Sequence, residues 1–245
     1  KYGEADAFIS AGSTGAVMAT ALLLLGRIEG VRRPALGAYI PTNLGGKILC
    51  DVGANPEVKP YHLLQFAVMA SYHLEHIEGC KNPKIGLVNI GEEPTKGNEL
   101  YKETYKLLKE NLNSFIGNVE GRHLLTSEAR VLVCDGFVGN TVLKFAESWV
   151  NIFTEGINKR IGESLIYRLG NSLMKPVFTS LKKEYDYEEH GGTPLLGVDG
   201  VCIIAHGSAG IRSIVNSLNV AKKCVDDQFV KNIFNSLKQF RVNKN

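Results

Sequence analysis

Short apolar runs alternate along the chain with longer stretches whose apolar residues recur at helical spacing. Ala7–Ile9, Ile48–Cys50, Ile85–Val88, Val131–Cys134 and Val201–Ala205 have the length and composition of buried strands, and Pro34–Ile40 is another, ending at Pro41. Between them, Ala16–Leu25 is dense in helix formers and predicts a buried helix packed on the sheet. Pro60–Leu74 predicts a helix with Pro60 near its first turn and a stripe of Leu63, Leu64, Ala67, Val68 and Ala70. Asn98–Leu112 is amphipathic, and Gly139–Trp149 starts a third helix after these. From Phe153, apolar residues fall every four positions through Ile157, Ile161, Leu165, Leu169, Leu173, Val177 and Leu181. Gly170-Asn171 predicts a turn there, hence a helical hairpin. A last helix spans about Asp226–Phe240. Strands alternating with helices predict βα units on a mostly parallel sheet: one α/β domain over 1–245, with a hairpin excursion at about 151–185.

Six apolar runs adjoin loops of glycine, asparagine and small hydroxyl residues. These loops are Ser10–Ala16, Asp51–Asn55, Asn89–Asn98, Asp135–Asn140, Gly191–Gly200 and His206–Gly210. Ligands of open parallel sheets bind beyond the strands' carboxyl ends. Glycine lets backbone N–H groups crowd an anion, and a following helix N-terminus adds partial positive charge. Six such loops gathered on one rim would hold phosphate or a developing oxyanion.

Composition narrows the partners. The 245 residues are 44% hydrophobic with a net charge of +3, too weak by itself to argue for nucleic acid, and none is expected as a partner. The charge is uneven. Residues 151–183 hold six Lys/Arg, including Lys159 and Arg160, against two Glu, whereas the other 22 basic residues face 23 acidic ones. The structural role open to this basic amphipathic segment is a dimer interface or core helix, and the alternative is a membrane-surface contact. The five cysteines form no Cys-x-x-Cys pair; Cys50, Cys134 and Cys202 read as buried thiols of a reducing cytosol. No apolar stretch is long enough to span a bilayer, so a soluble protein without a targeting segment is expected. The chain opens abruptly on Lys1-Tyr-Gly-Glu before its first strand, which suggests that an N-terminal portion is missing.

Each loop admits a chemical and a structural reading. Gly12, Ser13, Thr14 and Gly15 form either an anion cradle of amides and hydroxyls or a tight turn capping a helix. Asn55 can donate to a phosphate or carbonyl oxygen with Asp51 orienting it, or the two can form an Asx turn. Lys96, Gly97 and Asn98 follow two carboxylates at a helix start; they bind an anion, or Asn98 is only a cap. Asn140 and Lys144 lie four apart at the head of a helix behind Gly139, so both share a face. A lysine one turn into a helix, looking back over a glycine loop, suits a phosphate or thioester carbonyl; otherwise it is a surface lysine. His206, ahead of Gly207 and Ser208, is an acid–base or anion-donor candidate, or a structural histidine. His62, His73 and His76 read as surface residues.

Several chemistries are disfavoured. The chain lacks a GxxxxGK[ST] loop, a GxSxG elbow and a GxGxxG with a downstream acid. No Cys/His cluster has zinc spacing. No metal and no cofactor are expected.

Seven motifs, in this order, resemble the phosphate acyltransferase family of bacterial phospholipid synthesis. They are Ser10–Ala16, Asp51–Asn55, Asn89–Glu93 with Lys96-Gly-Asn98, Phe115–Gly121, Cys134–Asn140, Gly191–Gly197 and His206-Gly-Ser208. The resemblance runs essentially end to end. It implies an isopropylmalate-dehydrogenase-like three-layer α/β/α fold and a homodimer. The reaction implied converts acyl-(acyl carrier protein) and inorganic phosphate into acyl phosphate and free carrier. Also implied is a hairpin, here carrying Lys159, Arg160, Leu165, Leu169 and Leu173, that touches an anionic membrane surface from the cytoplasm. Two departures stand out. The family's first strand with its Asp-Ala-Met-Gly-Gly-Asp loop is absent, and Arg130 stands where family members usually carry Asp.

Under this reading phosphate is the nucleophile, while Lys144, Asn140 and main-chain amides neutralise it and the tetrahedral oxyanion, with His206 able to assist. Two rivals are kept: a phosphate acetyl- or butyryltransferase using coenzyme A, and a membrane-surface scaffold without catalysis.

Overall fold

The structure is a computed structural model that describes residues 3–185, 191–207 and 209–238. Its strands are β1 (Ala7–Ser10), β2 (Ala35–Ile40), β3 (Lys47–Cys50), β4 (Ile85–Asn89), β5 (Phe115–Glu120), β6 (Val131–Val133), β7 (Thr193–Leu196) and β8 (Val201–Ile204). They form one sheet in the order β1-β8-β7-β2-β3-β6-β4-β5. Pairing is parallel in both wings, β1 with β8 and β3-β6-β4-β5, and antiparallel through β8-β7-β2-β3. Three reversals separate β8 from β3. The loops after β1 and β8 therefore leave the sheet from the edge opposite to those after β3, β4 and β6, and the expected single rim is two facing edges.

Seven α-helices among the described residues flank this sheet: α1 (Thr14–Leu24), α2 (Pro60–His76), α3 (Glu99–Asn111), α4 (Gly136–Gly162), α5 (Leu165–Tyr185), α6 (Ile211–Asp226) and α7 (Phe229–Lys238). Proline opens α2 at its first turn, where a missing N–H costs nothing. Leu63, Leu64, Phe66, Ala67, Met69, Ala70 and Leu74 of α2 are buried against β3, β6 and α7, so this helix is the axis of the main core. His73 belongs to that core, at 4% exposure, and is not the surface residue its spacing suggested. A second core of Leu49, Val52, Val88, Leu132 and Cys134 lies on the other face, with Val138, Val142 and Leu143 of α4 packed on it. The thiols of Cys50, Cys134 and Cys202 are buried and free.

Other expectations shift. α1 buries only Val17 and Ala21, while Leu23 (83%) and Leu24 are exposed, so it is a half-covered helix rather than a buried one. The hairpin turns at Glu163-Ser164, and α5 runs unbroken through Gly170-Asn171. A glycine-asparagine pair loosens a helix by roughly 1 kcal/mol but does not by itself end one. The expected last helix is α7, beginning at Phe229; α6 before it is an additional helix, and the two are divided at Asp227-Gln228, where Gln228 has φ +51°.

Lys47, fully buried at the start of β3, donates from Nζ to the Ser127 carbonyl at 2.5 Å and the Ser127 hydroxyl at 3.3 Å. Burial, then the Arg130 charge, lowers its pKa to about 8. Arg130 donates from Nε to the Gly46 carbonyl at 2.6 Å. Arg130 is thus held by main chain beside the buried lysine.

Candidate active site

The strand after which the Asp51–Asn55 loop emerges ends in a buried carboxylate. Asp51 accepts from the amides of Leu36 (3.0 Å), Ala54 (3.3 Å) and Asn55 (2.6 Å), and from Asn55 Nδ2 (2.9 Å). Asn55 Nδ2 also donates to the Pro34 carbonyl at 2.7 Å. Burial raises the Asp51 pKa, and these four hydrogen bonds oppose that rise. Both hydrogens of the Asn55 amide are thus committed to protein. Asp51 and Asn55 brace the loop from beneath, and Val52, Gly53 and Ala54 form the turn that lines the groove.

α4 is docked onto that turn. Asp135 caps it, accepting from Val138 N at 2.9 Å and from the Tyr101 hydroxyl at 2.7 Å. Burial, with Asp135 beside it, raises the Tyr101 pKa and keeps that hydroxyl a donor. A side chain at Gly139 would place its first carbon 1.9 Å from the Asp51 carbonyl oxygen. Only glycine permits that approach, which sets Asn140 against Gly53.

A groove of 370 Å³ results, with β2 as its floor. α4 lines it with Asn140, Leu143, Lys144 and Glu147, and α1 with Thr14, Gly15 and Met18. Gly191, Gly192, Ala205 and His206 close the far edge. Five of the six glycine loops contribute a lining residue. Lys144 Nζ lies 2.8 Å from Glu147 Oε2, both part-exposed, so the cation stands on the wall with a carboxylate beside it. His206 begins the turn that receives β8; Ala205 N–H donates to the Ser10 carbonyl at 2.9 Å, tying the two far loops together.

Other sequence candidates lie elsewhere or serve the scaffold. Ser13 is the N-cap of α1 without a side-chain cap hydrogen bond, and Gly12 N–H donates to Ser10 Oγ at 3.1 Å; neither lines the groove. Gly207 is exposed beside Ala11. Lys96, Gly97 and Asn98 are outside the groove: Asn98 caps α3 through Tyr101 N at 3.2 Å, and the Lys96 carbonyl accepts from Asn89 Nδ2 at 3.1 Å. That loop sits two strands away from β3, over β4 and β5, because β6 intervenes. Ser208 lies outside the described residues.

Some lining residues lie outside every motif. Tyr39, His73 and Glu78 reach the groove from the α2 side of the sheet. Burial lowers the His73 pKa to about 4, keeping the ring neutral, and raises those of Tyr39 and Glu78. His73 Nδ1 has no hydrogen-bond partner among the described residues. Glu147 could have been found, since it falls three residues after Lys144 on one helix face. Among the described residues no His/Cys/Asp/Glu cluster suits a metal ion, and no helix is long and apolar enough to cross a membrane.

The α/β fold of this chain is shared by solved phosphotransacylases. The chain is similar in fold to EutD phosphotransacetylase from Staphylococcus aureus (TM-score 0.57, 18% identity), covering 90% of itself and 63% of that chain, less than two thirds of its length. It is also similar to a branched-chain phosphotransacylase from Enterococcus faecalis (TM-score 0.53, 15% identity, 91% and 74% covered). Two curated relatives, both named phosphate acyltransferase, are much nearer in sequence. One, from Desulfitobacterium hafniense, is 51% identical over 241 residues, 98% of this chain and 72% of the relative. The other, from Nostoc sp., is 48% identical over 236 residues, 95% of this chain and 69% of the relative. The family model described as "Fatty acid synthesis protein" matches residues 1–232, and the chain belongs to that family.

Proposed function

We propose that this chain transfers a fatty acyl group from the thioester of acyl carrier protein to inorganic phosphate, giving acyl phosphate and free carrier. The observation that carries the reading is that Asn140 and Lys144, one turn apart on α4, line one groove with the first turn of α1 and with His206.

Unpaired amides of a helix's first turn attract anions, and Thr14 and Gly15 present such a turn. Phosphate held between it and Lys144 is oriented toward a carbonyl carbon entering along Met18, Leu36 and Leu143. A phosphate oxygen forms the new bond to that carbon, and the carbon–sulfur bond breaks. The sulfur leaves as a thiolate and then takes a proton. Asn140 and Lys144 neutralise the charge that gathers on the carbonyl oxygen. No side chain has to form a covalent intermediate. Glu147 holds Lys144 in place until the anion arrives and draws it inward.

The test is direct: incubation with acyl carrier protein thioester and phosphate, followed by trapping of acyl phosphate as its hydroxamate. Turnover with the carrier thioester and little with acyl-CoA is the expected result. The reverse preference would establish the coenzyme A reading, and no turnover with either would favour the scaffold reading.

The hairpin supports a further part of this proposal, a homodimer that rests on the cytoplasmic face of the membrane. Along α4 and α5, Phe145 (70%), Trp149, Phe153 and Leu173 are exposed. Leu165 (80%) and Leu169 stand near the tip with Lys159, Arg160 and Arg168. Apolar surface on this scale is a mark of an interface. A second hairpin covers the shaft, and anionic lipid meets the basic, apolar tip. Trp149→Glu with Phe153→Glu should yield monomers in sedimentation, and Lys159→Glu with Arg160→Glu should reduce pelleting with anionic vesicles. Monomeric wild type would overturn the dimer, and unchanged pelleting would overturn the lipid contact.

A further inference from the structure

A basic patch lies beside the groove on a part of the molecule that the chemistry above does not use. It is made by the segment before β2 and the segment before α2. Arg32 N–H donates to Gln65 Oε1 at 2.9 Å, and Gln65 Nε2 donates to the Gly30 carbonyl at 2.8 Å. Gln65 is buried in α2, so these two bonds fasten the 30–32 turn onto that helix. Lys59 N–H donates to His62 Nδ1 at 3.1 Å at the start of the same helix. His62 and Gln65 lie three apart on α2, so these bonds hold Lys59 and Arg32 at the same end of the helix; burial, then the charges of Arg33, Lys59 and Arg32, lowers the His62 pKa. Arg32, Arg33 and Lys59 are exposed.

The acids of these segments are Glu29 and Glu57, against Arg27, Arg32, Arg33 and Lys59, so positive charge is in excess. Arg27 donates to the Arg32 carbonyl and helps fix the turn. The patch is also close to the groove. Arg33 is three residues from Leu36 and Lys59 is five from Ala54, both lining residues. Those separations allow at most about 11 Å and about 18 Å between Cα atoms. Asn55 ties the two approaches together through the carbonyl of Pro34, the residue after Arg33.

We propose that Arg32, Arg33 and Lys59 form the docking site for an acidic face of the acyl carrier protein, which positions the thioester arm to enter the groove past Ala54. This inference rests on the proposed acyl-carrier reaction. Complementary charge speeds encounter and fixes orientation, while the chemistry stays with α4 and α1.

The experiment compares wild type with the triple variant Arg32→Glu/Arg33→Glu/Lys59→Glu, measuring KM and kcat for acyl carrier protein thioester and titrating unacylated carrier protein by fluorescence anisotropy. Expected are a rise in KM and in carrier Kd of about tenfold or more with kcat within about twofold, because rim charges act on encounter. The wild-type KM should climb between low and moderate salt and the variant's should not. If the glutamate variant melts early, Arg32→Gln/Arg33→Gln/Lys59→Gln replaces it and should show the same direction. Unchanged KM and carrier affinity in a folded variant of an active enzyme would overturn the docking site alone. A wild type that binds no carrier and turns over none would overturn the functional reading with it.

Discussion

Asn55 Nδ2 stands 2.9 Å from Asp51 Oδ2 and 2.7 Å from the Pro34 carbonyl, so one amide closes a buried ring between the end of β3 and the start of β2. The most polar-looking member of the second glycine loop is a strut, and its apolar neighbours face the groove.

Asp51→Ala removes the acceptor of four hydrogen bonds and leaves buried donors unpaired. The expected loss is on the order of 3 kcal/mol of unfolding free energy, since each unsatisfied buried group costs about 1–3 kcal/mol and partial rehydration recovers some. Urea denaturation measures it. A loss under about 1 kcal/mol would show that the ring does not brace the loop.

Gly139→Ala forces a carbon against the Asp51 carbonyl oxygen, where the present geometry leaves 1.9 Å. Backbone has to shift, and the cost should exceed about 2 kcal/mol, with activity falling because Asn140 and Lys144 move with α4. Gly170→Ala is the contrast. A side-chain carbon there would meet nothing within 4 Å, and the residue lies inside α5, so the change should be neutral or stabilising by up to about 1 kcal/mol. Thermal melts of the two variants should therefore move in different directions.

Lys144→Ala should lower the turnover number by about two to three orders of magnitude, by analogy with deleting one oxyanion donor. The hydroxamate assay reads this. Glu147→Gln frees the lysine from its ion pair and should leave turnover within about tenfold. A Lys144→Ala enzyme near wild-type rate would remove the lysine from the chemistry.

Lys47 supplies a pH dependence. Its pKa falls from the ordinary 10.5 to about 8 in the fold. Between those pH values the unfolded chain holds the proton and the folded chain does not, so stability rises with pH. The gain from this one residue across that interval is on the order of 3 kcal/mol. Lys47→Met should abolish that rise and be more stable than wild type at neutral pH, as followed by denaturation at a series of pH values.

The sequence carried the family through seven ordered motifs, and the helices α2 and α3 nearly to their ends, because proline and asparagine mark their starts. Strand direction was not legible. β2 and β7 read as ordinary apolar runs, and nothing in Ala35–Ile40 or Thr193–Leu196 encodes that each opposes both neighbours. Glycine loops located the groove in five of six cases, but residue type misled within them. Asn55 and Asn98 looked like ligands and serve as brace and cap, because an amide that can hold an anion can hold its own backbone equally well. His73 and Glu78 were invisible as lining residues: their position depends on how α2 crosses the sheet.

Among the described residues β1 pairs with β8 alone, with Ala7 opposite Val201 and Ser10 opposite Ile204. Everything between those two strands must be synthesised before the pair can form, and closing so long a loop is entropically slow. The turn at Thr14 and Gly15 consequently acquires its position only after β8 has been made. A ribosome-bound intermediate can have α2 laid against β3 and β6 and still be chemically silent, which spares the cell a half-made enzyme that consumes thioester.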